Sequence, residues 1–371
     1  MLISLVPSFI IDGFESMLRK KKIYSYNLEN RGENYDFTIL VPVYNKEKTI
    51  HETLSSLELY KEKTIIIDDA STDNSFSIIK KMGFDVIKNE INGKKVGAIK
   101  KGLENVSSKY TVIIDADTGM EKPRDLPKLI QALYDENLVA GAVQVLPKEN
   151  SSVLSKLQYI EYKIAMELGR KSMNNLIICI SGAFGAFSTK ELKEVTELQA
   201  NNPKFEGEDF ERTLYLLEKG KIGYFSDFIV RTEVPSNLLD LTKQRIRWQY
   251  GYFDEHFKFK RFLKRKDAVG YTFLYNFIVN IGLHPFKLLF FYYLLSNPID
   301  FMGFYLGYAG LEAILYKLVA NKDEFSKYGK YSLIYPTYSL YNLFVPTTIG
   351  YFKAIKDYFK KFSSYDNKTV N

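Results

Sequence analysis

Short apolar runs alternate with amphipathic stretches through the first third of the chain. Four continuous, β-rich apolar runs predict buried strands, at residues 37–43, 64–67, 84–87 and 110–114. Three stretches with apolar side chains at helical spacing predict helices between them, at residues 49–59, 73–82 and 96–105. This alternation predicts an α/β fold, with a mostly parallel sheet and helices on both faces. Such sheets bind ligands at the carboxyl ends of their strands.

Acidic residues directly follow two of the predicted strands. Asp68 and Asp69 come after the second strand, and Asp115 and Asp117 come after the fourth. Because side chains alternate along an extended segment, Asp115 and Asp117 point to the same side. Two carboxylates that leave room for water and phosphate oxygens suit Mg²⁺ or Mn²⁺, and such a cation would neutralise a departing diphosphate. An Asp-x-Asp pair alone also occurs at surface turns, so the similarly placed Asp68-Asp69 pair strengthens the prediction of a site.

Two further polar groups follow later in the chain. Glu208 and Asp209 precede a predicted helix at residues 210–218. They are candidate site residues, and the alternative is that their charges only complement the dipole at the N-terminus of this helix. Gln244, Arg247 and Trp248 are spaced i, i+3, i+4, so they share one face if this segment is helical. The guanidinium of Arg247 can donate bidentate hydrogen bonds to diphosphate oxygens, and the flat apolar face of Trp248 can stack on a sugar ring. The alternative is a juxtamembrane helix with an interfacial aromatic anchor.

The last hundred residues are far richer in apolar side chains. Three segments are about long enough to cross a hydrocarbon core of roughly 30 Å and predict membrane helices, at residues 271–295, 301–320 and 331–351. Buried helices of a large soluble protein are the alternative. Residues 1–11 predict an interfacial helix or, alternatively, a helix packed on the rest of the protein. The distribution of lysines leaves the membrane topology open.

Charge adds to the membrane interpretation. The chain has 371 residues and a formal net charge of +7. Much of the basic excess lies beside apolar stretches, at residues 19–22 and 258–266, which favours an anionic membrane surface over nucleic acid. Cys179 is the single cysteine, which excludes a disulfide framework and favours a packed core thiol. The three histidines are too scattered to predict a metal site.

Taken in order, these segments resemble a known family. Residues 41–47 and 67–73 and the Asp115-Ala116-Asp117 segment resemble the opening of a family 2 glycosyltransferase, with residues 95–99 similar to its lysine segment. Glu208-Asp209 and the Gln244-x-x-Arg247-Trp248 signature resemble its membrane-bound members, such as the cellulose, chitin, hyaluronan and poly-N-acetylglucosamine synthases. The resemblance covers about residues 35–252.

The resemblance implies a nucleotide-sugar-binding fold of the GT-A type, a divalent cation and inversion at the anomeric carbon. Tyr44 and Asp69, with Asp68, would hold the nucleoside base and ribose, and Lys95 would meet the diphosphate. The later signature would add three substrate-binding residues, Gln244, Arg247 and Trp248.

The same resemblance implies the chemistry of the remaining acids. Asp115 and Asp117 would bind the Mg²⁺ or Mn²⁺ of the diphosphate. Asp209 would be the general base for the acceptor hydroxyl, with Glu208 positioning the acceptor or orienting Asp209. Residues 181–186, which are small except for Phe184, would border the acceptor sugar, although a tight structural turn explains them equally well.

The resulting prediction is a membrane-associated glycosyltransferase in three parts: an interfacial helix and connector (1–34), a cytoplasmic catalytic domain (35–252) and a basic segment with membrane helices (253–371). It would move a hexose or N-acetylhexosamine from a nucleotide-diphosphate sugar to a glycan acceptor, with membrane lipid as a further partner and no nucleic acid. Two alternatives stay open: transfer of one sugar to a polyprenyl phosphate or glycolipid, and an inactive glycan-binding scaffold.

Overall fold

The computed structural model describes residue 28 and residues 36–170, 179–201 and 206–366. The chain divides into two compact units. The sheet unit contains the described residues up to 148 and from 170 to 233, and the helical unit contains residues 149–169 and 234–366. The interfacial helix predicted at residues 1–11 lies outside the described residues.

Strands and helices are interspersed along the chain as far as residue 232, and the described elements after it are all helices. The strands are β1 (Phe37–Val43), β2 (Thr64–Asp68), β3 (Asp85–Lys88), β4 (Tyr110–Ile114), β5 (Thr118–Met120), β6 (Leu138–Pro147), β7 (Phe184–Ser188) and β8 (Lys221–Thr232). The helices are α1 (Ile50–Ser56), α2 (Ser75–Lys81), α3 (Lys94–Leu103), α4 (Leu126–Asp135), α5 (Val153–Ile164), α6 (Thr189–Ala200), α7 (Glu208–Lys219), α8 (Leu238–Lys258), α9 (Ala268–Asn276), α10 (His284–Ser296), α11 (Pro298–Val319), α12 (Lys322–Tyr328), α13 (Tyr335–Phe344) and α14 (Pro346–Asp366).

The described strands form one mixed sheet, in the order β3-β2-β1-β4-β7-β6-β8-β5. Strands β3, β2, β1 and β4 are parallel, as predicted, and β1 and β4 have the predicted bounds. In the other half, β7 runs antiparallel to both β4 and β6, and β5 runs antiparallel to β8. Strands β6 and β8 are parallel to each other. The α/β class is therefore confirmed, and the sheet is mixed, with parallel pairs throughout its first half and one parallel pair in its second.

Helices cover both faces of this sheet. Gly102 of α3 lies against Leu40 of β1, and Gly141 of β6 lies against Leu133 of α4. Through β4 and β7, the strand register places Leu40 and Gly141 on opposite faces. The predicted layering of helix, sheet and helix is therefore confirmed.

The helical unit packs aromatic and aliphatic side chains between its helices. Tyr308, Leu340 and Phe344 form a buried cluster that joins α11 to α13. Within the described residues, no single helix is both long and apolar enough to cross a membrane. Residues Ala268–Gly282 and His284–Ser296 meet that criterion only together, across a bend of 44°.

Candidate active site

The site lies at one edge of the sheet, where several strands end together. The final residues of β1 and β2, Val43 and Asp68, are register partners in adjacent parallel strands. Strand β4 is parallel to β1 and pairs its last residue, Ile114, with Phe184, the first residue of the antiparallel β7. The segments after β1, β2 and β4 and the segment before β7 therefore meet at this edge. The two Asp pairs therefore follow strands that end at the same edge, where the sequence predicts that a ligand binds.

Lys95, in the first turn of α3, links the acids that follow β4 to those that begin α7. Its Nζ lies 2.5 Å from Oδ1 of Asp115 and 3.9 Å from Oε1 of Glu208, and it donates to the carbonyl oxygen of Gly182 at 2.8 Å. The backbone N–H of the same glycine donates to Oδ2 of Asp209 at 2.9 Å. One residue, Gly182, therefore holds Lys95 on one side and Asp209 on the other.

The electrostatics of this group follow from burial and from neighbouring charges. Burial opposes the charge of Lys95, but the carboxylates of Asp115 and Glu208 outweigh it and raise the pKa of the amine. Burial raises the pKa of Asp115, and the nearby Asp117 adds to the effect while Lys95 opposes it. The pKa of Asp209 is raised by burial and then by Glu208, with Lys95 and two backbone N–H groups opposing. A carboxylate with a raised pKa is a stronger general base than an ordinary surface carboxylate.

Asp117 has a separate set of contacts. Its Oδ2 accepts a hydrogen bond of 2.5 Å from Nζ of Lys46, which lies in the segment after β1. Its Oδ1 accepts long hydrogen bonds of 3.4 Å from the hydroxyls of Thr118 and Thr232. Asp115 and Asp117 are therefore each paired with a different lysine.

These two carboxylates fit a divalent cation that arrives with phosphate. They supply oxygen donors, which Mg²⁺ and Mn²⁺ prefer, and their side chains keep 31% and 18% of their surface exposed. Within the described residues, no group of three or more acidic, histidine or cysteine side chains is arranged to hold a metal. A cation at Asp115 and Asp117 would therefore draw its other ligands from phosphate and water.

The acids after β2 differ from each other. Asp69 accepts hydrogen bonds from Asn89 and from the backbone of Gly93, at 2.8 and 2.9 Å, so it holds the loop that leads into α3. Asp68 is fully buried, and neither of its carboxylate oxygens has a hydrogen-bond partner in the part of the chain that is described. A buried carboxylate without donors is costly. Tyr44 follows β1 at the same edge and is half exposed.

Gln244, Arg247 and Trp248 lie on α8 of the helical unit, so the predicted helix is confirmed and the three residues share one face. Arg247 and Trp248 are exposed, and Gln244 is half-buried. The guanidinium of Arg245 lies 4.2 Å from the ring centre of Trp248 and is itself paired with Glu161 at 2.7 Å. Their roles as substrate-binding residues stay predictions.

Two charged residues of the site were assigned no role from the sequence. Lys46 lies within the segment that carries the family resemblance, and its position two residues after Tyr44 could have indicated that it belongs to the site. Arg212 is one helical turn after Glu208 on α7, and the i, i+4 spacing was its signal. Arg212 is almost fully buried, and its pKa is lowered by burial, with Glu208, Asp209 and Asp115 opposing.

Comparison with known proteins agrees with this geometry. Residues 38–196 match the model of the family described as glycosyl transferase family 2. A poly-β-1,6-N-acetyl-D-glucosamine synthase of Staphylococcus epidermidis is 30% identical over 265 residues, which are 66% of this chain and 61% of the relative. The synthase of the same name from Staphylococcus aureus strain COL is 30% identical over 243 residues, 62% of this chain and 58% of the relative. The chain thus spans about three fifths of the length of these relatives.

A solved structure extends the likeness to the fold. The mannosyltransferase PcManGT from Pyrobaculum calidifontis, in complex with GDP-Man and Mn²⁺, superposes with a TM-score of 0.59. The match covers 96% of this chain and 98% of that chain at 15% sequence identity, so it supports the fold alone. The matched family model and the synthase relatives together support a glycosyltransferase family 2 domain over the matched residues 38–196 of this chain.

Proposed function

We propose that this chain transfers a sugar from a nucleoside-diphosphate donor to a glycan acceptor, with inversion at the anomeric carbon and with residues 35–252 as the catalytic part. The observation that carries the proposal is the double contact at Gly182. Through this glycine, Lys95 and its partner Asp115 lie close to Asp209. Lys95, and a cation held by Asp115, would neutralise the diphosphate leaving group, and Asp209 would act as the base. An in-line displacement needs these two functions on opposite sides of the reacting carbon.

On the donor side, Lys95 carries the positive charge that a departing diphosphate requires. Its stem is flexible, so the ammonium can move from Asp115 to a phosphate oxygen. Asp115 and Asp117 would hold Mg²⁺ or Mn²⁺, which when bound neutralises negative charge on the diphosphate. Tyr44, Asp68 and Asp69 are the proposed contacts for the nucleoside, since they end or follow the strands that meet at this edge.

On the acceptor side, Asp209 is the proposed general base. Its Oδ1 and Oδ2 accept hydrogen bonds from the backbone N–H groups of Phe210 and Gly182, which fix the orientation of the carboxylate. Its raised pKa favours uptake of the proton from an acceptor hydroxyl as the oxygen attacks. Glu208 would position the acceptor, and the face of α8 with Gln244, Arg247 and Trp248 would bind donor and acceptor.

The transferred group is proposed as a hexose or an N-acetylhexosamine. The two staphylococcal relatives are synthases of an N-acetylglucosamine polymer, which supports the second of these.

Membrane association is part of the proposal, with the catalytic unit on the cytoplasmic side. Helices α10 and α11 bury one apolar face against each other and α13, yet expose another apolar face. Leu289 is 66% exposed, Ile299 88% and Leu306 63%. A helix that is apolar all round belongs in a core or in lipid. The basic residues 258–266 belong to the same unit and suit anionic headgroups.

A donor screen tests the proposal. The purified protein in detergent is incubated with each common nucleotide sugar, with Mg²⁺ or Mn²⁺, and with either an oligosaccharide or a polyprenyl phosphate as acceptor. We expect one donor to release its nucleoside diphosphate in a cation-dependent and acceptor-dependent reaction. A product that extracts into organic solvent and carries one sugar would instead support the lipid acceptor.

The same assay separates an enzyme from an inactive scaffold. We expect Asp209→Asn to lower kcat by about 10² to 10⁴, because a positioned base is lost while the donor contacts remain. Asp85→Asn is the control, since Asp85 is an exposed carboxylate at the start of β3, on the opposite edge of the sheet. Equal turnover in wild type and Asp209→Asn would refute the proposed mechanism.

A further inference from the structure

Lys46 contacts Asp117 from a rigid backbone. The backbone N–H groups of three consecutive residues donate to side chains of the segment after β2, with Asn45 bound to Ser71, Lys46 to Ser75 and Glu47 to Asp73 at 3.0, 2.7 and 3.0 Å. The main chain of Lys46 is therefore fixed, and only its side chain is free to move. That side chain is 39% exposed, so its ammonium can exchange partners through solvent.

The contact places a positive charge on one of the two carboxylate oxygens of Asp117. Oδ2 has a short ion pair with Lys46, whereas Oδ1 has only the two long hydroxyl contacts. An ammonium and a divalent cation cannot both occupy the same lone-pair direction of one carboxylate oxygen. Two positive charges on one carboxylate also repel each other, so Lys46 opposes a cation at either oxygen of Asp117.

Lys46 and Lys95 also differ in what surrounds them. Lys95 is held by Asp115, Glu208 and the carbonyl of Gly182, so its release breaks several contacts. The ammonium of Lys46 has Asp117 as its single described contact. Of the two lysines, Lys46 is the one that a cation displaces at lower cost.

We propose that Lys46 is a displaceable counter-ion of Asp117 that couples cation binding to diphosphate binding. Without a diphosphate, the ammonium of Lys46 competes with the cation for Asp117 and weakens its binding. With a diphosphate present, Lys46 moves to phosphate oxygens and leaves Asp117 to the cation. Each ligand then strengthens the binding of the other by the same factor. This inference rests on the proposed function, because it assumes a cation and a diphosphate at this edge.

Calorimetric titration of Mn²⁺ alone gives the first test. We expect Lys46→Met to bind Mn²⁺ about twofold to fivefold more tightly than wild type, the range that loss of one partly exposed ion pair allows. Lys48→Met is the matched control, because Lys48 is an exposed lysine two residues away and its loss changes the net charge equally. An unchanged or weaker Mn²⁺ affinity in Lys46→Met, or an equal gain in Lys48→Met, would overturn the inference.

The second test measures the coupling. UDP and GDP are titrated with and without saturating Mn²⁺, and the better ligand is used for all variants. We expect Mn²⁺ to enhance nucleotide affinity less in Lys46→Met than in wild type or Lys48→Met. Equal enhancement in all three would reject the role of Lys46 alone. Absence of any Mn²⁺-dependent nucleotide binding in wild type would instead reject the proposed donor site.

Discussion

At the scale of residues, the site depends on close approach to one glycine. A Cβ at Gly182 would lie 3.0 Å from Nζ of Lys95 and 3.4 Å from Oδ2 of Asp209. Both contacts are made to the backbone of this residue, so a larger side chain competes with the two groups that the proposed reaction needs. Gly182 therefore allows the backbone to approach closely the two side chains for which catalytic roles are proposed.

Gly182→Ala should impair catalysis more than stability. The added methyl group must push Lys95 or Asp209 by a few tenths of an ångström, and since a misplacement of about 1 Å can lower kcat about hundredfold, we expect a loss of roughly threefold to tenfold. Nucleoside diphosphate release measures the effect, with thermal unfolding as the check on folding. Gly303→Ala is the control, because its Cβ would meet no atom within 4 Å. Unchanged kcat in Gly182→Ala would contradict a role for this close contact.

The charges around Asp209 predict opposite pH shifts for two variants. Glu208 raises the pKa of Asp209, and the positive charge of the buried Arg212 faces the same carboxylates. Lys95 and Asp115 complete the charged surroundings. The proposed mechanism needs ionised Asp209, so activity should fall as the pH drops through this pKa. Glu208→Gln should move the acid limb of kcat/KM to lower pH, and Arg212→Gln should move it to higher pH. Shifts in the same direction would exclude Asp209 as the titrating base.

At the scale of elements, the sequence predicted the strands and helices of the first half well. Continuous apolar runs defined β1 and β4, and helical spacing defined α1, α2 and α3 within a few residues. The parallel direction of β1 to β4 was predicted from their alternation with helices, whereas the antiparallel direction of β7 was not, because the predicted alternation ends at β4. The antiparallel β7 matters for function, since it brings Gly182 to the edge where β4 ends.

The partners of the charged side chains were also not predictable from the sequence. The acids of the site follow strands and could be found by position, but the partner of each acid depends on long-range packing. Lys46 and Asp117 are 71 residues apart in sequence, and Lys95 and Gly182 are 87 apart. Arg212 could be expected near Glu208 from helical spacing, whereas its burial could not.

Helix α3 offers a stability test with two glycines in one element. A Cβ at Gly97 would meet no atom within 4 Å, whereas a Cβ at Gly102 would lie 2.7 Å from Cδ1 of the buried Ile67. Gly97→Ala should stabilise the protein by roughly 0.5–1 kcal/mol through helix propensity. Gly102→Ala should destabilise it by about 1–2 kcal/mol, because overpacking outweighs that gain. Chemical denaturation measures both, and stabilisation by Gly102→Ala would show that α3 can move away from the sheet.

At the scale of the whole molecule, charge and apolar surface are divided between the two units. The sheet unit holds the acids and lysines proposed for chemistry, and the helical unit holds most of the exposed large apolar residues and the basic segment 258–266. On α11, exposed apolar residues recur at i, i+3 and i+7, with Ile299, Met302 and Leu306 on one face. A face of this kind, beside basic residues, suits a bilayer that contains anionic lipid.

Vesicle binding tests this division. The Ile299→Glu, Leu306→Glu double variant should bind vesicles of mixed phosphatidylcholine and phosphatidylglycerol at least about tenfold more weakly than wild type, since two apolar side chains lose their burial in lipid. The matched control is the Leu59→Glu, Ile91→Glu double variant, because both residues are exposed and belong to the sheet unit. Wild-type binding should also weaken on vesicles of phosphatidylcholine alone, because the basic segment then loses its electrostatic attraction. If both double variants bind as wild type does, the exposed face of α11 does not contact the membrane.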